Sequence, residues 1–269
     1  MTFQFTKTEK KISAKFSVLG LNLSNNGSVC VMRDGKIVFY LESERITRKK
    51  RDHAIRSLLK YVHDIDAIAI SDSYWTKDSK KLISSLDLNI VKNKFPDARV
   101  YDYRSEHHKC HAASAFYNSG YNDAVAIVVD ANGSNTDDGI EIESAFDIPS
   151  WKVLHKKYFS QDDVGIGKLY QQACVNYGFD PEDAGKVMGM AAYGKHDAYY
   201  IQQKWEQRAL KLANMFPNRN LVLSGGCFLN CVVNYKLRKE LDVSIRVMPI
   251  AHDGGTSIGA AYLAHTENS

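Results

Sequence analysis

Three histidines in the segment EHHKCHAASAFY, at positions 107, 108 and 111, are the residues of this sequence best suited to chemistry. Side chains four positions apart on a helix share a face, so His107 and His111 can converge on one metal ion, while His108 points about a quarter-turn away. Two imidazoles leave a metal under-coordinated, and an added oxygen ligand would suit iron, manganese or zinc. Asp130 closes the apolar run AVAIVVD, where a strand would present a functional group at its C-terminal end. A surface or capping role for the histidine pair is the alternative. In AHDGGTSIGAAYLA, Asp253 stands at the entrance of a helix, beside free N–H donors that suit a metal-bound phosphate; an ordinary N-cap carboxylate would look the same.

Glycine-rich corners add to these groups. In LSGGCFLN, Gly225 and Gly226 allow close backbone approach, and Asn230 on the following helix can meet a nucleotide. In DAGKVMGMAAYG, Lys186 offers a charge to a phosphate and Gly189 allows tight packing against a base. The loop Ser24 to Ser28 hangs between two strands and either wraps a phosphate with its N–H groups or is a plain hairpin.

These groups need elements to hold them. Phe16 to Leu41 has the short β-branched runs and the Asn-Gly and Asp-Gly turns of a meander. The charged segment Glu42 to His53 leads into a predicted helix over Ile55 to Val62, a strand over Ile65 to Ile70 and helical spacing over Lys77 to Leu88, and Ala98 to Tyr101 leads on toward the histidine helix. A helix from about Glu106 to Asn118 carries the histidines, and Ala124 to Asp130 is a central strand. The second half follows with a polar strand region through Trp151 to Phe159 and helices near Gly165 to Tyr177, Glu182 to Ala192 and Ala198 to Met215. A short strand, Leu221 to Ser224, and a helix from about Leu229 complete it. Alternating strands and helices predict an α/β protein of two similar lobes with a cleft between them.

With 269 residues, 44% hydrophobic and 25% charged, the chain can bury a sizeable core. Its 35 Lys and Arg exceed 31 Asp and Glu mostly within the first 60 residues, a bias that favours a phosphorylated ligand but is no nucleic-acid signature. The five cysteines are odd in number and irregularly spaced, so reduced thiols in a cytoplasmic setting are expected, with Cys227 and Cys231 as small packed side chains. The basic N-terminus has no signal-peptide pattern and no run is long enough to span a bilayer, so a membrane role is not expected.

The segments HHKCHAASAFY, VVDANG, GKVMGMAAYG, LSGGCFLNCVVN and AHDGGTSIGAA, in this order, resemble the NodU/CmcH-type O-carbamoyltransferase family; GLNLSNNGSVCVMRDGKIV and LESERITRKKRDH resemble its opening. The resemblance runs from about Phe16 to the end. It implies a minimal version of the two-lobed actin-like ATPase fold, a single module with lobes over about 1–105 and 106–269. It also implies ferrous iron, or another divalent ion, held by His107, His111, Asp130 and Asp253 against the phosphate of carbamoyl-adenylate, itself formed from carbamoyl phosphate and ATP. Gly133 of VVDANG, Lys186, Gly189, Gly225, Gly226, Asn230 and Gly254 would surround that adenylate. The acceptor would be a hydroxyl of a small molecule, sugar or nucleobase.

Two departures qualify the resemblance. The family's YrdC-like domain, which makes the adenylate, is not among these 269 residues, and the Gly194 to Leu221 connection is short. A separate YrdC-like protein would then supply the intermediate, unless this chain makes it; the surface left uncovered would be filled by another chain, a second copy included. Where the family has His-Asp-Ala-Ser, this sequence has Asn25-Asn26-Gly27-Ser28. An amide cannot take the proton that an imidazole can. Asn25 would position the acceptor, leaving proton removal to His108, His53 or solvent. The alternative function is a non-catalytic nucleotide- and metal-binding subunit of a larger carbamoyltransferase assembly.

Overall fold

The computed structural model of the chain describes residues 16–73 and 84–268. Ser17–Asn22 (β1), Ser28–Arg33 (β2) and Lys36–Glu42 (β3) form the antiparallel meander expected from the sequence. Asp34 and Gly35 both adopt positive φ (48° and 73°), the geometry a tight two-residue hairpin requires. After Ser43–Thr47 (α1), the segment expected to be a helix over Ile55 to Val62 instead makes two 3-10 turns. Its amides bond three residues back, Leu58 to Ile55 and Tyr61 to Leu58. Ile55, Leu58, Leu59 and Val62 are buried all the same, so the apolar spacing marks the core-facing side although the turns are 3-10 rather than α.

Ala67–Ser71 (β4) pairs parallel to β1, and after Ser84–Lys94 (α2) the strand Arg99–Asp102 (β5) pairs parallel to β4, giving a sheet in the order β3-β2-β1-β4-β5. Helical spacing begins at Lys77, and residues 77–83 lie outside the described residues; α2 itself continues past Leu88 to Lys94.

His107–Tyr117 (α3) leads into the second sheet, built from Ala124–Val129 (β6), Asn135–Thr136 (β7), Gly139–Ile148 (β8) and Lys152–Tyr158 (β9). Ile166–Asn176 (α4), Ala184–Met190 (α5) and Asp197–Ala213 (α6) follow. Then come Leu221–Ser224 (β10), Cys231–Glu240 (α7), Ile245–Val247 (β11) and Thr256–Glu267 (α8). The sheet order is β11-β10-β6-β8-β7, with β9 on β8. Neither β8 nor β11 was expected. The first sheet's strands all precede residue 105 and the second's all follow it, yet α8 packs back on β1 and β4.

Side-chain alternation sorts the strands into layers. Val18, Met32, Ala67, Ala126 and Val128 face a central layer made by α3 and α8 side by side. Leu19, Leu21, Ile68 and Ile70 face outward onto Ile55, Leu58 and Val91, while Val125, Ile127 and Leu223 face α4, α6 and α7 around Trp205. The two central helices pack at backbone distance. A Cβ on Gly259 would stand 1.8 Å from the Cys110 carbonyl oxygen, and one on Gly20 would stand 1.9 Å from that of Ser257. This closeness sets the relation between the histidines of α3 and the residues at the start of α8. Among the described residues, no helix is long and apolar enough to cross a membrane.

Candidate metal centre

Helix α3 begins where the His107 amide donates to Ser134 Oγ, 2.9 Å away on the loop after β6. That fixes the first turn against the second sheet, with His107, His108 and His111 fully buried. His107 Nε2 and His111 Nε2 face each other at 3.1 Å. Asp130, immediately after β6, places Oδ2 3.4 Å from His111 Nε2, and its two oxygens accept from the amides of Ala131 (2.6 Å) and Gly226 (3.1 Å). Asp253, one turn ahead of α8, places Oδ1 3.6 Å from His107 Nε2 and 3.7 Å from His111 Nε2. One donor atom from each of the four residues lies within 4.8 Å of the others.

Burial would raise the Asp253 carboxyl, but the His107 and His111 imidazoles hold it well below the usual range. Burial alone would lower His111, yet hydrogen bonds and attraction from Asp130 and Asp253 raise it to about 9. The spacing fits an ion. Donors about 2.1 Å from a common centre are roughly 3–3.5 Å apart, and two facing imidazole nitrogens can share one proton at most. Two nitrogens and two carboxylates suit a borderline divalent metal. Ser224 Oγ, 3.1 Å from His111 Nδ1, orients that ring.

The second oxygen of Asp253 is held by two hydroxyls from the first sheet: Ser24 Oγ at 3.2 Å, after β1, and Ser73 Oγ at 3.0 Å, after β4. These bonds aim Oδ1 at the histidines. Replacing both serines by alanine is expected to weaken Mn²⁺ or Zn²⁺ binding roughly 10–100-fold, read by titration of the metal-free protein; unchanged affinity would remove them from the site.

Beside the cluster lies a cavity of about 570 Å³, lined in part by Asn25, Asp130, Lys186, Gly226, Asn230 and Asp253. Several expected contacts are otherwise engaged. The Asn230 side chain caps α7 through the amides of Val232 and Val233 and donates to Gln202 Oε1 at 2.7 Å, so it is fixed rather than free to meet a nucleotide. Gly226 gives its amide to Asp130. Lys186 Nζ lies 2.7 Å from Asp183 and over the Phe179 ring.

Gly133, Gly189, Gly225 and Gly254 do not line the cavity. A Cβ on Gly133 would strike the His108 ring at 2.4 Å, and one on Gly254 the His252 ring at 2.7 Å. Gly225 (φ +94°) lets the chain pass Val129 O, which a Cβ would approach to 2.3 Å. These three serve packing. Gly189 has nothing within 4 Å of its would-be Cβ.

His108 is likewise corrected. It points away from the cavity to β8, with Nδ1 2.8 Å from Ser144 Oγ and 3.6 Å from Glu141 Oε2. Burial pushes its imidazole down to about 4, against the pull of Glu141. His53 is exposed and outside the cavity wall. Cys231 is exposed rather than packed. Ser24, Ser73, Arg51, Asp183 and His252 also belong to the site, beyond the residues expected from the sequence. The run ESERITRKKRDH signalled charge without showing that Arg51 would reach the cavity.

The sequence pattern described as "Carbamoyltransferase N-terminus" matches residues 59–209 and 198–262. Nodulation protein NolNO of Sinorhizobium fredii is 23% identical over 324 aligned positions, covering 90% of this chain and 46% of that protein. The chain thus spans about half the length of the curated relatives it matches. Among solved structures, it is similar to component A of (R)-2-hydroxyglutaryl-CoA dehydratase from Acidaminococcus fermentans, with TM-score 0.58, 15% identity, and coverage of 94% of this chain and 98% of that one. It is also similar to full-length HypF in a phosphate- and nucleotide-bound form, with TM-score 0.56, 13% identity, and coverage of 96% and 56%. Together with sugar kinases of the ROK family, these likenesses give the two-sheet architecture as the actin-like ATPase fold.

Proposed function

The chain belongs to the carbamoyltransferase N-terminal family, and on that premise we propose that it transfers a carbamoyl group from carbamoyl-adenylate to an acceptor hydroxyl. The observation that carries this reading is the cluster His107, His111, Asp130 and Asp253 beside a cavity within the usual size range of a ligand pocket. The four side chains would hold a divalent ion, with Fe²⁺ as our assignment, and a bound ion supplies charge neutralisation and orientation to a phosphate.

The rest falls to the chain itself. The amide of Asn25, on the loop between β1 and β2, lines the cavity where it can orient the acceptor. The acceptor oxygen attacks the carbamoyl carbon, the bond from that carbon to the phosphate oxygen breaks, and AMP leaves with the bonding pair. The hydroxyl proton passes to solvent. His252 lines the cavity, but its Nδ1 accepts from the Gly254 amide at 3.1 Å and its Nε2 faces Glu42 at 3.6 Å, so neither nitrogen offers a free lone pair. A separate YrdC-like protein would deliver the adenylate.

That engaged histidine and the amide at Asn25 favour a second reading, a nucleotide- and metal-binding subunit without its own turnover. Incubating the protein with synthetic carbamoyl-adenylate and a panel of hydroxyl acceptors, with and without Fe²⁺, separates the two by mass spectrometry. Metal-dependent carbamoylation of an acceptor is expected. If nucleotide binds and no acceptor is modified, the subunit reading takes its place.

A further inference from the structure

The mouth of the cavity carries a second charged group that the metal centre does not use. Lys50 and Arg51 follow α1 on the side of the first sheet, and Lys186 lies in α5 on the side of the second. All three line the cavity and converge on one carboxylate. Asp183 Oδ1 accepts from Arg51 Nη2 at 2.8 Å and Lys50 Nζ at 3.1 Å, and its Oδ2 accepts from Lys186 Nζ at 2.7 Å. Arg51 Nη1 also reaches Asp180 at 2.9 Å.

Joining the two sides would take one ion pair, and the half-buried Arg51–Asp183 pair already does it. Three cations on one acid exceed that need. Arg51 is also held in left-handed backbone (φ +57°), and its amide is tied to Glu44 Oε2 at 3.0 Å. A non-glycine residue holds such a conformation at a cost, which the Glu44 bond helps to offset. Asp130 and Asp253 line the same cavity and belong to the metal centre, which the reading above assigns to the donor phosphate, so a second anionic group is left these three cations to pair with.

We propose that Lys50, Arg51 and Lys186 form an anion subsite, occupied in the free protein by the Asp183 carboxylate, that receives a phosphate group on the acceptor. The acceptor is then a small hydroxyl compound bearing a phosphate away from its reacting oxygen. An arginine fork and two ammonium groups match the oxygens of a phosphate, and the incoming group displaces Asp183 toward solvent. Calling the ligand an acceptor rests on the transfer reading above; the subsite itself does not.

The test uses neutral and phosphorylated pairs, uridine with uridine 5′-monophosphate and glucose with glucose 6-phosphate. Calorimetry is run on the metal-loaded full chain with AMP saturating the donor position. The phosphorylated member of at least one pair is expected to bind tenfold or more tightly than its partner, roughly the effect of one charge-assisted hydrogen bond. Lys50→Ala, Arg51→Ala and Lys186→Ala combined should erase the preference, and Asp183→Asn should strengthen it. Should the triple variant fail to fold, Lys50→Glu, at a side chain 74% exposed, must still reduce it. Equal binding within both pairs, a preference that survives these substitutions, or one that AMP abolishes would overturn the subsite; in the last case the cations serve the donor. No donor is consumed, so failure of carbamoyl transfer leaves these outcomes readable.

Discussion

His111→Ala is expected to lower divalent-metal affinity by more than about a hundredfold, beyond the loss that removal of a supporting residue brings. Elemental analysis of protein reconstituted with Fe²⁺ or Mn²⁺ reads it directly. His111 is the hub of the cluster: its Nε2 is 3.1 Å from His107, 3.4 Å from Asp130 and 3.7 Å from Asp253. Its alanine variant leaves the Asp130 and Asp253 carboxylates facing one imidazole. The comparison that gives the result its meaning is His108→Ala, three residues earlier on the same helix and equally buried. That ring serves Ser144 and Glu141 on β8, so its loss should leave metal content intact while costing about 1–3 kcal/mol of stability. Stoichiometric metal in the His111 variant, or metal loss confined to the His108 variant, would reverse the roles assigned to the two rings.

The adjacent histidines also show what a sequence can reveal. The four-residue spacing of His107 and His111 is a local fact of helix geometry, and Asp130 closes a strand whose apolar run is continuous, so both could be read without a structure. What His108 touches depends on β8, and β8 was hidden. Its sequence GIEIESAFDI sets Glu141 and Glu143 among its apolar residues, yet both are buried, because Lys156 and Arg208 arrive from β9 and α6 to pair with them. No local pattern announces a buried acid whose partner lies many residues away. Ser24 and Ser73 were hidden for the same reason, as two serines on separate loops that meet only at Asp253. Glycine misled in another way. Chain reversals, close packing and ligand approach all select it, and Gly133, Gly225 and Gly254 prove to be packing glycines.

One packing glycine controls the metal centre from outside it. Gly259 of α8 faces the Cys110 carbonyl of α3, and a methyl there would sit 1.8 Å from that oxygen. The obstacle is backbone, which no rotamer change can clear, so Gly259→Ala must push the helices apart by about an ångström or more to restore ordinary contact distances. Helix α8 cannot retreat, since its Ser257 carbonyl already rests on Gly20 of β1. The displacement therefore falls on α3, which carries His107 and His111, while Asp253 stays with α8 and its two serines. The expected cost is about 3 kcal/mol of stability, the upper end for overpacking, together with a loss of metal affinity although no ligand has changed. Gly189→Ala is the matched control, in a helix with open space at its Cβ; it should be neutral or stabilising by about 0.5–1 kcal/mol and leave metal binding alone. Thermal unfolding and metal titration of both variants measure the two effects separately. If Gly259→Ala keeps full metal affinity, the separation of α3 from α8 does not set the geometry of the cluster, and the hold of the β6 loop on His107 through Ser134 would have to be what sets it.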